Sequence, residues 1–581
     1  MKFFKSFAAG AVITGSLALF ISHTKFAFNS PPALQAFINA NVLTMNSDRP
    51  QAEAILIERH KIISVGSNTD ITKLVRSHKD RYKVRVHDLS GKTVVPGFVD
   101  AHSHFPKSGV YEFAANLNAP PIGEVSNIDM LQTVLRNKVA NSDEEWVLGI
   151  GYDDLVMREN RHPFKEELDA VTTQKPIFIL HVSGHIGVAN SIALNRLGIS
   201  AESKPPIGGE YVKNEKGQLT GLLVEKAAFE ALKQAAKYTK SQQSEILRAA
   251  IVEYASQGVT TVQNGATDLS VAKLLLHKHR TNKIPQRLII WPLSDDFENI
   301  SKQLTVSDEL SNRFKVGAAK IIADGSIQAY TAYLTEPYLV NSNSQIGARG
   351  RAYRGSPLIP QDELLKLIDW YFSKNQQVAI HSNGDGSIDD VLRAIEYAVK
   401  RNPDYEHRTI LVHAQMARDD QLKKMKELGV SPSFFSAHTF YWGDRHRDVF
   451  LGTRRAARIS PMLSAIRYDL APSIQMNSPV VPINTMRLLN SVVSRKTSDG
   501  RLLGGRERVS RIEALKAITI NAAKQNFLDE ELGSIEAGKL ADFVVLDKDP
   551  TQKNHELMSI EVEQTYVGGV QIFRSEHGLA H

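Results

Sequence analysis

The residues with the plainest chemical meaning are His102 and His104, at the end of VVPGFVDAHSHF, residues 94–105. In an extended strand, side chains at i and i+2 leave the same face. Two imidazoles placed this way can hold one metal ion from a single strand end, and neutral imidazole is the commonest protein ligand for zinc-like ions. A lone His-x-His arises often by chance, so its meaning depends on partners further along. QVAIHSNGDG ends an apolar run in His381, and TILVHAQM does the same in His413. RFKVGAAKIIADGS places Lys320 after a strand-like segment and before Asp324-Gly325. Each stands where an apolar run gives way to polar residues, the strand-end position at which (β/α) barrels carry their chemistry. Lysine joins a metal set once CO2 carboxylates its amine, because the carbamate is an anion whose two oxygens can bridge two ions.

The elements that must position these residues read as an alternation. Residues 242–256, VAKLLLHKHR and LIPQDELLKLIDWYFSKN carry apolar residues at helical spacing, while GVTTVQ and QVAIH read as strands. SRIEALKAITINAAKQNFL opens with Ser510 and Glu513 in capping-box spacing and reads as one amphipathic helix. Strands alternating with helices predict βα units and parallel sheet. QAFINANVLTMN and QAEAILIERHKIISVGS read as two or three short strands, and KLADFVVLDKDP and VEQTYVGGVQIF return to that texture near the C-terminus. Residues 110–245 are too many for one or two βα units and predict an inserted region over the mouth. Within it, His181 and His185 of HVSGH either line a pocket or cap a helix beginning near Val188. Asp153, with Tyr152 and Asp154 in GIGYDDL, and His438, with Trp442 and Asp444 in SAHTFYWGDRH, are further candidates for the mouth. Glu225 reads as an organiser of the inserted region, and His23, His60, His162 and His446 receive no role.

Taken in order, PGFVDAHSHF, HVSGHIGVANSIAL, GQLTGLLVEKAA, GVTTVQ, KIIADGSIQAYTAYLTEPY, AIHSNGDGSIDDVL, LVHAQMARDDQL, PSFFSAHTFYWGDRH and GSIEAGKLADFVVLDKDP resemble the amidohydrolase superfamily. The chain looks most like the long metal-dependent hydrolases of the amidohydrolase family 3 type, over about residues 35–572. The resemblance implies an α/β fold: a distorted TIM-type (β/α)8 barrel with a small composite β-sandwich formed by both chain ends. The expected divisions are a signal peptide or anchor at 1–29, sandwich at 30–95, barrel at 96–530 with the insertion at about 110–245, and sandwich again at 531–581. His102, His104, Lys320, His381 and His413 are implied as ligands of one or two divalent ions, zinc first, with Lys320 as the bridging carbamate. The implied reaction is cleavage of a non-peptide C–N bond, amide or cyclic amide, by a metal-activated hydroxide. His181, His185, Asp153 and His438 are expected to contact a small-molecule substrate.

One position departs from the family pattern. The last barrel strand usually ends in His-x-Asp-(Ala/Ser)-Pro-Val, whereas this chain reads SIQMNSPVVP, with Asn477 for the aspartate and Gln475 where a histidine often stands. In the implied mechanism that aspartate moves a proton from the attacking water to the leaving nitrogen. A neutral amide accepts no proton near neutral pH, and losing a general base costs about 10²–10⁴ in rate. Asp469 lies upstream, at the wrong end of the strand, and Asp324 is the candidate substitute. Two alternatives follow: a catalytically impaired relative that binds metal and ligand, and a hydrolase of esters or lactones.

Bulk properties agree with a globular enzyme. The 581 residues are 42% hydrophobic and 23% charged, enough for a large barrel and a second domain. The formal charge of +7 arises from 70 basic and 63 acidic residues without a basic run, which argues against nucleic acid. With no cysteine, disulfides, thiolate ligands and a cysteine nucleophile are excluded. Lys2 and Lys5 followed by an uncharged apolar stretch at 7–22 read as a signal peptide, hence a secreted or periplasmic protein. Membrane contact is expected only through that segment, if it stays uncleaved as an anchor. A homodimer is left open.

Overall fold

Phe98–Val99, the buried strand that leads into His102, pairs in parallel with Val259–Thr267 in the computed structural model, which describes residues 33–78, 84–339 and 352–576. The expected signal or anchor segment lies outside these residues. From Val259–Thr267 the pairing continues in parallel to Arg287–Pro292 and then to Phe314–Val316. A second parallel sheet runs through Ala319–Ile322, Val378–Ser382, Ile410–His413, Ser431–Phe434 and Ser473–Ile474. The two sheets meet at both margins. Leu293 bridges Lys320 on one side. On the other, the Asn477 N–H donates to the His102 carbonyl at 2.8 Å and the His104 N–H to the Ser478 carbonyl at 3.0 Å. The strands are buried along nearly their whole length, polar residues of Val259–Thr267 and Ser431–Phe434 included, as parallel strands covered on both faces must be.

Helices Lys240–Ser256, Leu269–Arg280, Gln361–Ser373, Asp385–Arg401 and Asp419–Leu428 return the chain between strands. Register pairs Ile322 with His381 and Ser382 with His413, which brings these strand ends to one level. Among the described residues no helix is long and apolar enough to cross a membrane.

The region expected as an insertion builds its own mixed sheet. Its strands run, edge to edge, Gly209–Lys213, Leu219–Glu225, Ile186–Ala189, Ile177–His181, Val147–Tyr152 and Ala115–Asn116. Leu117, Leu131, Tyr152, Ile177, Ile179 and Val188 fill a separate core beneath it. The helix expected to begin near Val188 begins three residues later, and Asn190, not His181 or His185, caps it. Ile186–Ala189 is a strand, and the helix starts at Ser191, where the Asn190 side chain accepts the Ala193 N–H.

Both chain ends enter one six-stranded sheet, in the order Val570–Arg574, Val562–Val567, Phe543–Leu546, Thr93–Pro96, Asn41–Leu43, Gln51–Ala52. A four-stranded sheet of Lys61–Gly66, Ala54–Glu58, Leu34–Ile38 and Val84–Asp88 lies beside it, and Phe37 meets Phe543 and Tyr566 edge-on at 4.9 and 5.1 Å. The span 34–66 thus holds five strands where two or three were expected. The helix expected as one piece after Ser510 is also two, Arg511–Ala517 and Ile520–Gln525. The Thr519 hydroxyl donates to the Leu515 carbonyl at 2.7 Å, a local bond that competes with the helical ladder. Ser510 does accept the Glu513 N–H at 3.2 Å, while the Glu513 carboxylate turns to Lys516.

A buried ion pair ties the terminal sheet to the parallel one. Arg287 donates through Nε and Nη2 to both oxygens of Asp542, at 2.7 and 2.8 Å, and Asp542 also accepts the Gly568 N–H. Asp542→Ala would leave a guanidinium buried without its counter-charge. The expected loss is about 3–5 kcal/mol in equilibrium urea unfolding, and Arg287→Met with Asp542→Leu should recover most of it. A loss below about 1 kcal/mol for the single change would show the pair to be idle.

Candidate metal centre

Four imidazoles and one amine meet where the parallel strands end. Ring centres of His102 and His104 are 5.1 Å apart, His102 and His413 5.8 Å, His381 and His413 4.6 Å. The Lys320 Nζ lies 3.5 Å from His102 Nε2, and Trp291 stacks on His102 at 5.5 Å. Two imidazoles on one ion at about 2.0–2.1 Å place their ring centres roughly 4.5–6.4 Å apart, and these three spacings fall in that range, while no three of the rings bring their nitrogens within 4.8 Å of one another among the described residues. The five residues singled out as ligands are therefore brought together.

Their surroundings orient the rings. The Gln263 Oε1 lies 3.2 Å from His102 Nδ1, which places the ring proton there and turns Nε2 toward Lys320. For His381, the Asp324 carboxylate stands 3.5 Å from Nδ1 and the Asn383 amide 3.3 Å from Nε2, so Nε2 is again the lone pair. Partners of this kind fix tautomer and ring angle in metal sites. His413 differs. Its Nδ1 faces the Gln475 Nε2 at 2.6 Å, and an amide N–H can only donate, so the ring proton sits on the other nitrogen.

Asp324, weighed as a substitute base, is otherwise occupied. It accepts the N–H groups of Asn383, Gly384 and Tyr333 at 2.9, 2.8 and 3.1 Å and is wholly buried. Its place beside His381 makes it a positioning residue. Asn477 holds a left-handed backbone, φ 53°, beside His102. No hydrogen bond from its side-chain amide to protein is found among the described residues.

Burial first, then neighbouring positive charge, holds His102, His104 and His413 well below the usual imidazole range. Burial alone lowers Lys320 to about 7. The charges that weigh most on those three rings are all basic: Lys320, Lys107 and other imidazoles.

Of the residues expected to touch substrate, two flank this cluster. His185 stands 6.0 Å from His381 and His438 stands 6.2 Å from His413, ring centre to ring centre. His185 is gripped by Glu225, Nδ1 to Oε2 at 2.8 Å. Burial opposes its charge, but Glu225 outweighs burial and raises its pKa. Glu225, expected to organise the insertion, holds His185 of that same region beside the cluster, and it does so from a strained backbone at φ 50° and ψ −122°.

His181 and Asp153 belong to a second network. Ligand atoms of Asp153, Asp154 and His181 lie within 4.8 Å of one another, close enough to hold an ion. Two features complete the group without one. The Ser183 N–H donates to His181 Nδ1 at 3.2 Å, which leaves the ring proton on Nε2, 3.0 Å from Asp154. Arg445 already pairs with Asp153. His162 approaches Asp154 at 3.7 Å, and Asp153, Arg445, Asn118, Ile122, Tyr441 and Trp442 border a small cavity.

His162 and His446 carried no signal in the sequence, yet both are built in. His446 packs 5.8 Å from His438 and bonds Gln415 at 2.9 Å. Gln263 and Gln475 were equally silent as ring holders, since an amide ending a strand looks like any polar residue.

The sequence model of a family described as "Amidohydrolase family" matches residues 85–573. An N-substituted formamide deformylase of Arthrobacter pascens is 30% identical over 92% of this chain and 97% of its own. Protein LONG AFTER FAR-RED 3 of Arabidopsis thaliana is 27% identical over 92% and 91%. Among solved structures, a metal-dependent hydrolase of Pyrococcus horikoshii superposes with a TM-score of 0.71 at 22% identity, covering 90% of this chain and 99% of that one.

Asp100 gives the centre a pH signature. Burial raises its carboxyl to about 7, against the hydrogen bonds of Ser103 and the His102 N–H, and its Oδ2 has no partner. The folded state therefore holds a proton that the unfolded chain releases near 4. This contribution is whole below pH about 4 and is lost as pH rises toward about 7. In metal-free protein, Asp100→Asn should flatten that part of the stability profile, read by denaturant unfolding at stepped pH. Identical profiles for the two proteins would refute it.

Proposed function

The chain belongs to the amidohydrolase family, and we propose that it is a metal-dependent hydrolase cleaving a non-peptide C–N bond in an amide or cyclic amide. The convergence of His102, His104, Lys320, His381 and His413 from four strand ends carries this reading. The likeness to an N-substituted formamide deformylase supports the class of bond. In this reading the two parallel sheets form a distorted (β/α)8 barrel over about 96–530, residues 110–245 are its insertion, and the sheets of the two chain ends make a composite β-sandwich. The apolar start of the chain would direct a secreted or periplasmic protein.

One or two divalent ions, zinc first, would be held by the four imidazoles and Lys320. When bound, such an ion polarises a carbonyl and lowers the pKa of water toward about 7. The chain's own residues do the rest. Lys320, near half-neutral at physiological pH, can add its Nζ to CO2 and release a proton, which turns a buried cation into an anion. Asp324 and Gln263 keep the ring protons of His381 and His102 on Nδ1. His185 and His438 border the opening and orient a small-molecule substrate. Water adds its oxygen to the acyl carbon, the C–N bond breaks, and the nitrogen leaves with a proton. Asn477 can hydrogen-bond these groups but cannot carry that proton. This favours a second reading, in which activated esters or lactones are turned over better than amides, or the protein binds metal and ligand with little turnover.

His413 must change to bind through Nε2: the Gln475 amide has to turn over, so that its oxygen receives the Nδ1 proton. The Ser433 hydroxyl beside it, 3.2 Å from Oε1, can donate or accept and allows the turn. Gln475→Glu offers an oxygen in either orientation and should bind zinc at least as well as the natural protein. Gln475→Met should bind it about 10–100-fold more weakly in competition with a chelating dye. Equal affinity for the two variants would remove Gln475 from the ligand shell.

Asn477→Asp should raise turnover of a neutral amide by up to about 10²–10⁴. The natural protein should bind metal normally and hydrolyse an activated ester faster than the matching amide. If it already turns over the amide at about 10 s⁻¹, another group moves the proton and Asn477 is not the defect.

A further inference from the structure

Lys273, His277 and Arg280 stand on one face of the helix Leu269–Arg280, four and three residues apart. Opposite them runs the turn that leaves the helix Phe297–Gln303. Lys273 Nζ donates to Gln303 Oε1 at 2.6 Å, and Arg280 donates through Nη2 to the Thr305 carbonyl. These two bridges border a surface cavity of about 250 Å³, lined also by His277, Leu276 and Leu304. The cavity shares no residue with the strand-end cluster.

No acid stands on its walls, and among the described residues none of its three bases forms an ion pair. Elsewhere on the outer helices lysines pair with an acid one turn earlier: Lys302 with Glu298 at 2.6 Å, Lys366 with Asp362 at 3.7 Å and Lys400 with Glu396 at 3.1 Å. One turn before Lys273 and Arg280 stand Leu269 and Leu276 instead. The helix dipole draws cations to a last turn, but Lys273 lies about two turns before the end. Bases gathered at one cavity without an acid are the complement of an anion.

We infer that this cavity is a binding site for a small phosphate monoester. Each bridge uses one hydrogen, so most donors of Lys273 and Arg280 remain free. The guanidinium fork matches two phosphate oxygens, and the ammonium meets the remaining charge from the other side. Helical rise sets these residues about 10 Å apart along the axis with His277 between them, and their long side chains can converge on one group there. A dianion answers both cations, which a single carboxylate does not. The organic body rests on Leu276 and Leu304. The volume falls just below the roughly 300–1,000 Å³ of sites for drug-sized ligands, so that body is about the size of a sugar. The helix wall continues from Val259–Thr267, which carries Gln263, and the opposite wall from Arg287–Pro292, which carries Trp291. Both residues lie against His102, so an occupant ties together two connections that brace the centre. The inference is independent of the hydrolase reading.

The test is titration calorimetry on the full metal-free chain at fixed ionic strength, with glucose 6-phosphate and with glucose. The natural protein should bind the ester at least about tenfold more tightly than the sugar, the effect of one charge-assisted hydrogen bond. That preference should fall to within about twofold in Lys273→Met with Arg280→Met. It should fall likewise in Gln303→Glu, which sets a carboxylate on the wall. Lys278→Met, on the same helix but bonded to Ser244 at 3.0 Å, should keep it. Equal binding of ester and sugar, an unchanged preference in the double variant, or an equal loss in Lys278→Met overturns the inference. Co-sedimentation with phosphatidylcholine vesicles carrying phosphatidic acid separates two sources of such a monoester. Pelleting that the double variant loses and glucose 6-phosphate competes away assigns a lipid headgroup. A chain that binds the ester and stays in solution assigns a soluble metabolite.

Discussion

Burial without counter-charge governs the centre of this protein. His102, His104, His413 and Lys320 share one enclosed space, and the charges that press hardest on the three rings are basic. Bases crowded this way must give up protons, since two or more cations in a dry cavity repel strongly. Neutral imidazoles and a half-neutral amine are also the forms that coordinate metal and react with CO2. The arrangement is thus costly for the empty chain and favourable for a loaded one. The strand pairings that bring His381 level with Ile322 and His413 level with Ser382 impose that cost, and the sheets exist to hold it.

Around this core the chain uses two kinds of support. Amides and one caged carboxylate, Gln263, Gln475 and Asp324, set ring orientation from behind. The mixed sheet between Ala115 and Glu225 and the segment 437–450 are joined to each other, Arg445 of the latter pairing with Asp153, which follows Val147–Tyr152 of the former. Strain collects at the same place. Glu225, His413 and Asn477 all adopt positive φ without being glycine, at an expected cost of about 1–3 kcal/mol each, and such positions persist where a surrounding structure forces a side chain into a working direction.

The histidines and the lysine that meet at the strand ends were legible in the sequence for a physical reason. A buried parallel strand is an apolar run, and a polar residue at its end has few reasons to be histidine or lysine unless it does something. The two terminal segments were legible as sheet by their alternation, and their pairing needed only that neither could form a core alone. Other features left no trace. Glu225 meets His185 because Val224 pairs with Ile186, a cross-strand register that no local pattern encodes. The break at Thr519 comes from one hydroxyl choosing a nearby carbonyl within an otherwise regular helical pattern. His162 follows no apolar run, so nothing marked it as a partner of Asp154.

The shared terminal sheet sets a timetable for synthesis. Thr93–Pro96 waits for Phe543–Leu546, made about 450 residues later. At roughly 5–20 residues per second, that edge stays open for about 20–90 s after it leaves the ribosome. Throughout that interval Val94 and Val95, buried in the finished protein, form an unpaired apolar edge of the kind that invites pairing with another chain. The last forty residues therefore act as a completion signal: a chain released before Asp542 lacks both the strand that covers this edge and the acid that anchors Arg287.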